Sequence, residues 1–307
     1  MKFVYAFRRE SCYPHHGPGT NLPPAKIRGA YLGKVREMGF DGLEVGANLP
    51  DKAEVTEASV AELRKELEDA SVPCMSVRGG GGVTNPRTSA NSREGLKRVI
   101  RFASWIGAEV VNATTGTGHR DPGGPGSFVG EPASQGSSRL ASGEDYERTA
   151  EAYAEAADLA AEHDIHISIE VHQHSISDNS WSVCHLLDLI DRPNVWANPD
   201  LGNIYWCYNE PEESCEEAIV ALAPRTKYWH CKNLTRVLHR GGEHAIFLQA
   251  PLPEGDIDYR FALSALLEAG FDGYVAIEGL RLGDQYYGDQ KSVAYMRGLL
   301  AELTQDG

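Results

Sequence analysis

The sequence predicts an α/β protein folded as one (β/α)8 barrel, the TIM-barrel architecture, with residues 1–307 as a single domain. Three observations predict it. Eight short apolar runs rich in β-branched residues alternate with eight helical segments over 307 residues, which is the order of a parallel sheet covered by helices. Glu170, Asp200 and His230 are spaced thirty and thirty residues apart, close to the roughly 30 residues of one strand–helix–strand unit. Glu170, Asp200, His230 and Glu278 each follow or end an apolar run, and four such strand ends converge only where the sheet curls into a barrel.

The elements follow in order. Phe3–Phe7 reads as the first strand, and the Pro- and Gly-containing stretch Arg8–Pro24 as the loop after it. Ala25–Met38 has helical spacing and stops at Gly39. Asp41–Val45 is a second strand, Lys52–Ala70 a charged amphipathic helix and Pro73–Val77 a third strand. The glycines 79–82 make a turn into a helix from about Ala90 to Ile106, and Glu109–Ala113 is strand four. Thr114–Gly143 is rich in Gly, Ser and Pro without apolar periodicity, and is expected to be a flap over the barrel mouth. Glu144–His163 is an alanine-rich helix. Ile165–His174 is the fifth strand, read as carrying Glu170, His172 and His174 on one side by alternation. A helix over Trp181–Ile190, a sixth strand ending at Asp200 and a helix over Glu212–Leu222 come next. The seventh strand reaches His230, and a long loop with Gly241, Gly242, Pro251, Pro253 and Gly255 follows it. Asp258–Ala269 is a helix, Gly273–Glu278 the eighth strand, and Lys291–Leu303 the closing helix.

Composition excludes several classes. With 41% hydrophobic and 24% charged residues the chain can bury a large core. Its 44 acidic and 29 basic residues leave a formal charge of −15, which disfavours a nucleic-acid or anionic membrane partner. No run approaches membrane-spanning length, and the apolar start before Arg8 and Arg9 is too short for a signal-peptide core. A cytoplasmic location is the expectation. Six scattered cysteines with no CxxC pair fit neither a zinc ribbon nor a disulfide scaffold. Cys231 should point away from the side that His230 faces.

Three carboxylates and one imidazole form a hard, oxygen-rich set, which suits Mn²⁺ first, then Mg²⁺ or Co²⁺. Such a metal can grip adjacent oxygens of a hydroxy-ketone, acidify the neighbouring C–H and stabilise the enediolate. Glu170 and Glu278 are placed to act as base and acid. His172, His174, Glu44 and His119, all at or beyond strand ends on the catalytic side, are candidates for substrate contact, as are His15 and His16. Tyr205 and Trp206 could stack on a sugar or pack in the core. Neither GxGxxG nor GxxxxGK occurs, which argues against an open nucleotide-binding sheet.

The segments Met38-Gly-Phe-Asp-Gly-Leu-Glu44, Ala250-Pro-Leu-Pro-Glu-Gly-Asp-Ile-Asp-Tyr259 and Glu268-Ala-Gly-Phe-Asp-Gly-Tyr-Val-Ala-Ile-Glu278 resemble the xylose-isomerase-like barrel superfamily of sugar isomerases and epimerases. The resemblance runs over essentially the whole chain. By resemblance to the ketose 3-epimerase branch, Glu170, Asp200, His230 and Glu278 are the metal ligands, the two glutamates exchange the substrate proton, and Arg236 contacts substrate. Two positions depart from that branch: Asn203 stands where a substrate-binding histidine is expected, and Ile176 where a second glutamate is expected. His172 and His174 are therefore candidates to replace the missing groups, and Asn203 stays a candidate substrate contact at its own position.

The resemblance implies a divalent-metal-dependent isomerase or epimerase acting on a small carbohydrate. Family members are often homodimers or tetramers, so a homo-oligomer is expected with it. A lyase acting on 3-keto glycosides, as in the C-glycoside deglycosidases of the superfamily, is the alternative on the same barrel. An endonuclease IV-like enzyme would want more histidine ligands and a basic groove, and a non-catalytic carbohydrate-binding barrel would not need all four ligands.

Overall fold

The computed structural model describes residues 1–6, 22–49, 54–116, 135–206, 212–237, 245–279 and 283–305. Eight strands form one parallel sheet: β1 (Lys2–Ala6), β2 (Gly42–Gly46), β3 (Cys74–Arg78), β4 (Val110–Ala113), β5 (His166–Glu170), β6 (Val195–Asn198), β7 (Tyr228–Cys231) and β10 (Tyr274–Glu278). Their order is β6-β5-β4-β3-β2-β1-β10-β7, and a parallel bridge between Ala197 and Thr226 joins the two ends into a barrel. The helices around it are α1 (Ala25–Met38), α2 (Glu57–Asp69), α3 (Ser89–Ile106), α4 (Gly143–Ala161), α5 (Ser180–Ile190), a short α6 (Leu201–Tyr205), α7 (Cys215–Leu222), α8 (Tyr259–Glu268) and α9 (Gln285–Gln305).

Alternation along each strand divides the side chains between two cores. Ile167, Ile169, Val275, Ile277, Trp229 and Cys231 belong to the large outer core, where the helices add residues such as Leu32, Leu67, Leu96 and Tyr153. Val4, Ala6, Val110, Tyr228 and Ala276 form a small core inside the barrel. Cys231 therefore faces the helices, opposite His230. Cys74, Cys184, Cys215 and Cys231 are all free thiols.

Local chemistry sets the helix ends. Thr56, Ser142, Asn179 and Ser214 accept the backbone N–H three residues on and complete reciprocal capping boxes. Gly39 at φ 99° and Gly107 at φ 80° end α1 and α3 in the left-handed conformation.

Several expected boundaries move, each for a local reason. α2 starts after the Thr56 cap instead of at Lys52, which lies outside the described residues. β5 ends at Glu170, not at His174. His172 N–H donates to Ser177 O and Ser177 O–H turns back onto Glu170 O, and His174 sits at φ 65°. Strand alternation therefore does not extend to the two histidines. β6 ends at Asn198, and Asp200 caps α6 by accepting Asn203 N–H. The insertion after His230, expected as loop, contains the antiparallel hairpin β8 (Asn233–Val237) and β9 (Ile246–Ala250). Asn233 anchors its base by donating to Leu252 O and Ile257 O. α9 begins at Gln285, well before Lys291. Most of the expected flap falls outside the described residues, as do His15, His16 and His119. Its last part is docked: Ser138 N–H donates to the Asp178 carboxylate and Asn179 donates to Ser138 Oγ.

β7 and β10 carry His230 and Glu278, and they approach closely at their start. A Cβ on Gly273 would lie 2.0 Å from Lys227 O. Gly273→Ala should force these strands apart and lower unfolding free energy by about 1–3 kcal/mol, the range for overpacking. Chemical denaturation checks this, and an unchanged midpoint would contradict it.

Candidate metal centre

Four residues from four strand ends meet at the mouth of the barrel. Glu170 ends β5, Asp200 follows β6, His230 lies on β7 and Glu278 ends β10. One ligand atom from each lies within 4.8 Å of all the others, and all four residues are buried. The Nδ1 of His230 is 3.6 Å from Glu170 Oε2, 3.7 Å from Glu278 Oε1 and 3.9 Å from Asp200 Oδ2. These are charge contacts, too long for hydrogen bonds. Nδ1 is itself a buried nitrogen with no hydrogen-bond partner.

The other face of the imidazole explains this arrangement. Nε2 lies 2.9 Å from Glu44 Oε2, and Glu44 is only 1% exposed. A carboxylate accepts, so Nε2 carries a proton, and Nδ1, the nitrogen a metal would take in place of its own proton, faces the three carboxylates. That is the geometry of a metal-ligating histidine backed by a carboxylate. The donor set therefore fits a divalent cation, with Glu170, Asp200, Glu278 and His230 Nδ1 to hold it.

Two asparagines inside the barrel fix the surrounding groups. Asn112 Nδ2 donates to Glu44 Oε2 at 3.3 Å and to Glu170 Oε2 at 3.2 Å. Asn198 donates to Asn112 Oδ1 and accepts the His230 backbone N–H. Tyr228 O–H donates to Glu44 at 2.8 Å. Asn203, expected as a substrate contact, is 4% exposed and donates to Glu170 Oε1, Asp200 Oδ2 and Val171 O. It braces two of the candidate ligands from α6.

Sequence reasoning missed Lys232. Its ammonium is 2.7 Å from Asp200 Oδ2 and 2.9 Å from Glu278 Oε2, and the side chain is 4% exposed. Room for its stem comes from Gly202, where a Cβ would lie 2.3 Å from Lys232 Cγ. The available signal was its place two residues after His230, on the same side of an extended chain.

The electrostatics follow from four carboxylates in one buried space. Burial pushes the Glu170 carboxyl up, but the positive charge of His230, with that of His172, outweighs it and holds the carboxyl below the ordinary range. Asp200 goes the other way: burial, together with Glu278 and Glu170, pushes it up to about 6 despite Lys232. Burial alone would lower His230, and the facing Glu44 and Glu170 carboxylates raise it well above its usual value.

The remaining candidates lie around this cluster. Glu44 stands behind His230. His172 follows β5, and its Nδ1–H donates to Gln173 O at 2.8 Å. His172 and His174 line a cleft beside the cluster. Arg236 lies on the hairpin, with its backbone N–H on Asp256 Oδ2 at 2.8 Å. Tyr205 and Trp206 pack against Phe247 of β9, with ring centroids 6.0 and 6.3 Å apart. Ile176 is buried in the outer core. His119 lies outside the described residues.

A parallel barrel with a buried carboxylate–imidazole cluster at the carboxyl ends of its strands has its site where barrel enzymes carry theirs. The model of the xylose isomerase-like TIM barrel family matches residues 32–297, and the chain belongs to that family. Among solved structures, it is similar to a xylose isomerase-like TIM barrel protein from Mycobacterium smegmatis in complex with magnesium. That match has a TM-score of 0.78 at 20% identity over 97% of each chain. An L-ribulose 3-epimerase aligns with a TM-score of 0.71 at 17% identity over 93% of each chain. A 3-dehydroshikimate dehydratase from Bacillus anthracis is 27% identical over 111 residues, which are 33% of this chain and 38% of that protein. The chain thus matches well under half the length of that relative. No helix among the described residues is long and apolar enough to cross a membrane.

Two outcomes follow from the geometry. Glu44→Gln can present an amide N–H to Nε2 and reverse the imidazole tautomer, so affinity for a divalent metal should fall by about 10–100-fold; chelator-competition titration reads this, and unchanged affinity would refute it. Metal binding also needs Asp200 ionised and Nδ1 free of its proton. Lowering the pH protonates both, so metal affinity should drop as pH falls through about 6 and still climb above it while His230 releases its proton. The same titration across pH tests that sign.

Proposed function

We propose that the protein is a divalent-metal-dependent isomerase or epimerase that moves a proton at a carbon next to a carbonyl of a small carbohydrate. The observation that carries this reading is His230 Nδ1 facing three buried carboxylates while Glu44 holds the opposite nitrogen. Mn²⁺ is the metal we favour, with Mg²⁺ or Co²⁺ as alternatives, because the donor set is mainly carboxylate oxygen. A divalent cation bound there supplies Lewis acidity, polarising the substrate carbonyl and acidifying the adjacent C–H.

The chain's own residues do the rest. Glu170 is held ionised, and Asn203 and Asn112 fix its two oxygens, so it is oriented to accept the substrate proton. Glu278 ends the strand two places round the barrel beyond β6 and lies within the same cluster, which suits it to return a proton on the other face. Burial of the cluster keeps water away from the exchanging proton. Similarity to an L-ribulose 3-epimerase supports a carbohydrate ketone as substrate.

A lyase is the second reading, favoured by one observation. The Lys232 ammonium is a buried proton donor bonded to both Asp200 and Glu278. In an elimination, a carboxylate takes the C–H proton, the C–O bond one carbon further breaks, and Lys232 protonates the departing oxygen. The distant 3-dehydroshikimate dehydratase relative agrees with that chemistry, and a 3-keto glycoside is a second substrate class that would undergo it.

Elemental analysis of the purified protein, paired with exchange of deuterium from D2O into ketoses, 3-keto glycosides and 3-dehydroshikimate, separates these readings. Exchange into a free ketose supports the isomerase, whereas release of water or an aglycone without such exchange supports the lyase. Glu170→Gln and Glu278→Gln should each lower turnover by about 10²–10⁴-fold with the denaturation midpoint preserved, and His230→Ala should lose the metal. Full activity in either glutamine variant would rule out the two-carboxylate mechanism.

A further inference from the structure

Three of the four candidate ligands are carboxylates, and a fourth carboxylate, Glu44, stands behind the histidine. Ligand charge is one of the quantities that set how tightly such a site holds a cation. Among the described residues two fixed cations are paired with these carboxylates, Arg78 with Glu44 at 3.7 Å and Lys232 with Asp200 and Glu278. They are not equivalent. Arg78 has 29% of its side chain exposed and touches the one carboxylate that is not a candidate ligand, so solvent screens it. Lys232 is 4% exposed and sits on two candidate ligands at once, where a low dielectric leaves its charge strong.

The ammonium and a metal would draw on the same atoms. Lys232 Nζ lies 2.7 Å from Asp200 Oδ2, the oxygen that stands 3.9 Å from His230 Nδ1. It lies 2.9 Å from Glu278 Oε2, while the other oxygen of that carboxylate stands 3.7 Å from Nδ1. A cation held by His230 and these carboxylates would therefore share both of them with the ammonium.

The surroundings keep the lysine there. Its carbonyl oxygen accepts the Tyr259 O–H at 2.8 Å, and the next residue, Asn233, is tied to Leu252 O and Ile257 O. Along the stem, a Cβ on Gly202 would lie 2.3 Å from Lys232 Cγ and 2.9 Å from Cε. The stem runs through a channel that this glycine leaves open, and the walls hold the ammonium at the carboxylates.

We propose that Lys232 sets the valence of the ion the centre accepts: one fixed positive charge on two of the ligands tunes the cluster to a divalent cation and against a trivalent one. The proposal rests on the metal reading of the cluster and is indifferent to the choice between isomerase and lyase. With His230 neutral and both Arg78 and Lys232 in place, the four carboxylates leave two negative charges to be met; without Lys232 they leave three. Hard trivalent ions favour the same carboxylate oxygens, so donor type alone does not turn them away. Repulsion from the ammonium does, because it grows in proportion to the charge of the bound ion.

Chelator-competition titration of Mn²⁺ and of Tb³⁺ on the full chain tests this, comparing the wild type with Lys232→Met, which keeps an unbranched stem and removes the charge. Mn²⁺ affinity should rise by about tenfold or more. Because the repulsion scales with charge, the gain for Tb³⁺ should be about one and a half times as large on a logarithmic scale, or about thirtyfold for a tenfold gain in Mn²⁺. Comparing each ion only with itself cancels the difference in ionic radius. Lys232→Gln, also uncharged, should behave in the same way and carries the test should the first variant fail to fold, with folding read by circular dichroism. Unchanged or weaker Mn²⁺ binding in a folded variant would overturn the proposal. Equal gains for the two ions would overturn it as well, since a packing role does not sense valence. A wild type that binds neither ion would sink the metal reading itself, an outcome distinct from either of these.

Discussion

Four buried carboxylates in one space are the constraint on which the rest of the structure depends. Glu44, Glu170, Asp200 and Glu278 are each 4% exposed or less. A buried charge is tolerable only when it is paired or hydrogen-bonded, and like charges together worsen the cost. Lys232 supplies one positive charge between Asp200 and Glu278. Arg78 supplies another from the rim, 3.7 Å from Glu44. A protonated His230 would supply a third and still leave the cluster one charge short. A divalent cation in place of that proton would bring the four carboxylates, Lys232 and Arg78 to neutrality, so the charge of the cluster fits a 2+ ion.

The barrel is what allows such a cluster to be built. Alternation along parallel strands sends every second residue inward, and the inward residues near the carboxyl ends are Asn112, Glu170, Asn198, His230 and Glu278. Below them the interior is apolar, with Val4, Val110 and Ala276 around Tyr228. Tyr228 joins the two zones: its ring packs in the inner core while its hydroxyl reaches Glu44. The asparagines serve as uncharged spacers, since each can donate to one neighbour and accept from another without adding to the negative charge.

The fold and the four-residue cluster were legible because both rest on periodicity. The thirty-residue spacing of Glu170, Asp200 and His230 reflects one strand–helix unit per ligand, and α1 matches its expected bounds at Ala25–Met38 because its Gly39 terminator is local. What depends on three-dimensional approach was not legible. Lys232 gains its meaning only from Gly202 on another strand's connection, which clears space for it. Asn203 stood where the family resemblance expects a substrate contact, yet it faces down onto Glu170 and Asp200, since α6 begins at once after the Asp200 cap. The hairpin β8–β9 was hidden by its surroundings: Gly, Pro and Asn at both ends read as loop, and the pairing of Arg236 with Phe247 and Thr235 with Leu248 is a contact between segments with no shared period.

The end of β5 shows how these levels join. Had the strand run on to His174, both histidines would have stood in line with Glu170 over the candidate metal ligands. The chain instead turns at Glu170, and Ser175 and Ser177 close that turn by bonding to His172 O and Glu170 O. His174 is held in a left-handed conformation that costs a non-glycine residue energy. The consequence is a division within one short segment. Glu170 faces the cluster of candidate metal ligands, while His172 and His174 just after it line a separate cleft on the β3 and β4 side. The turn after Glu170 separates the two by a single residue.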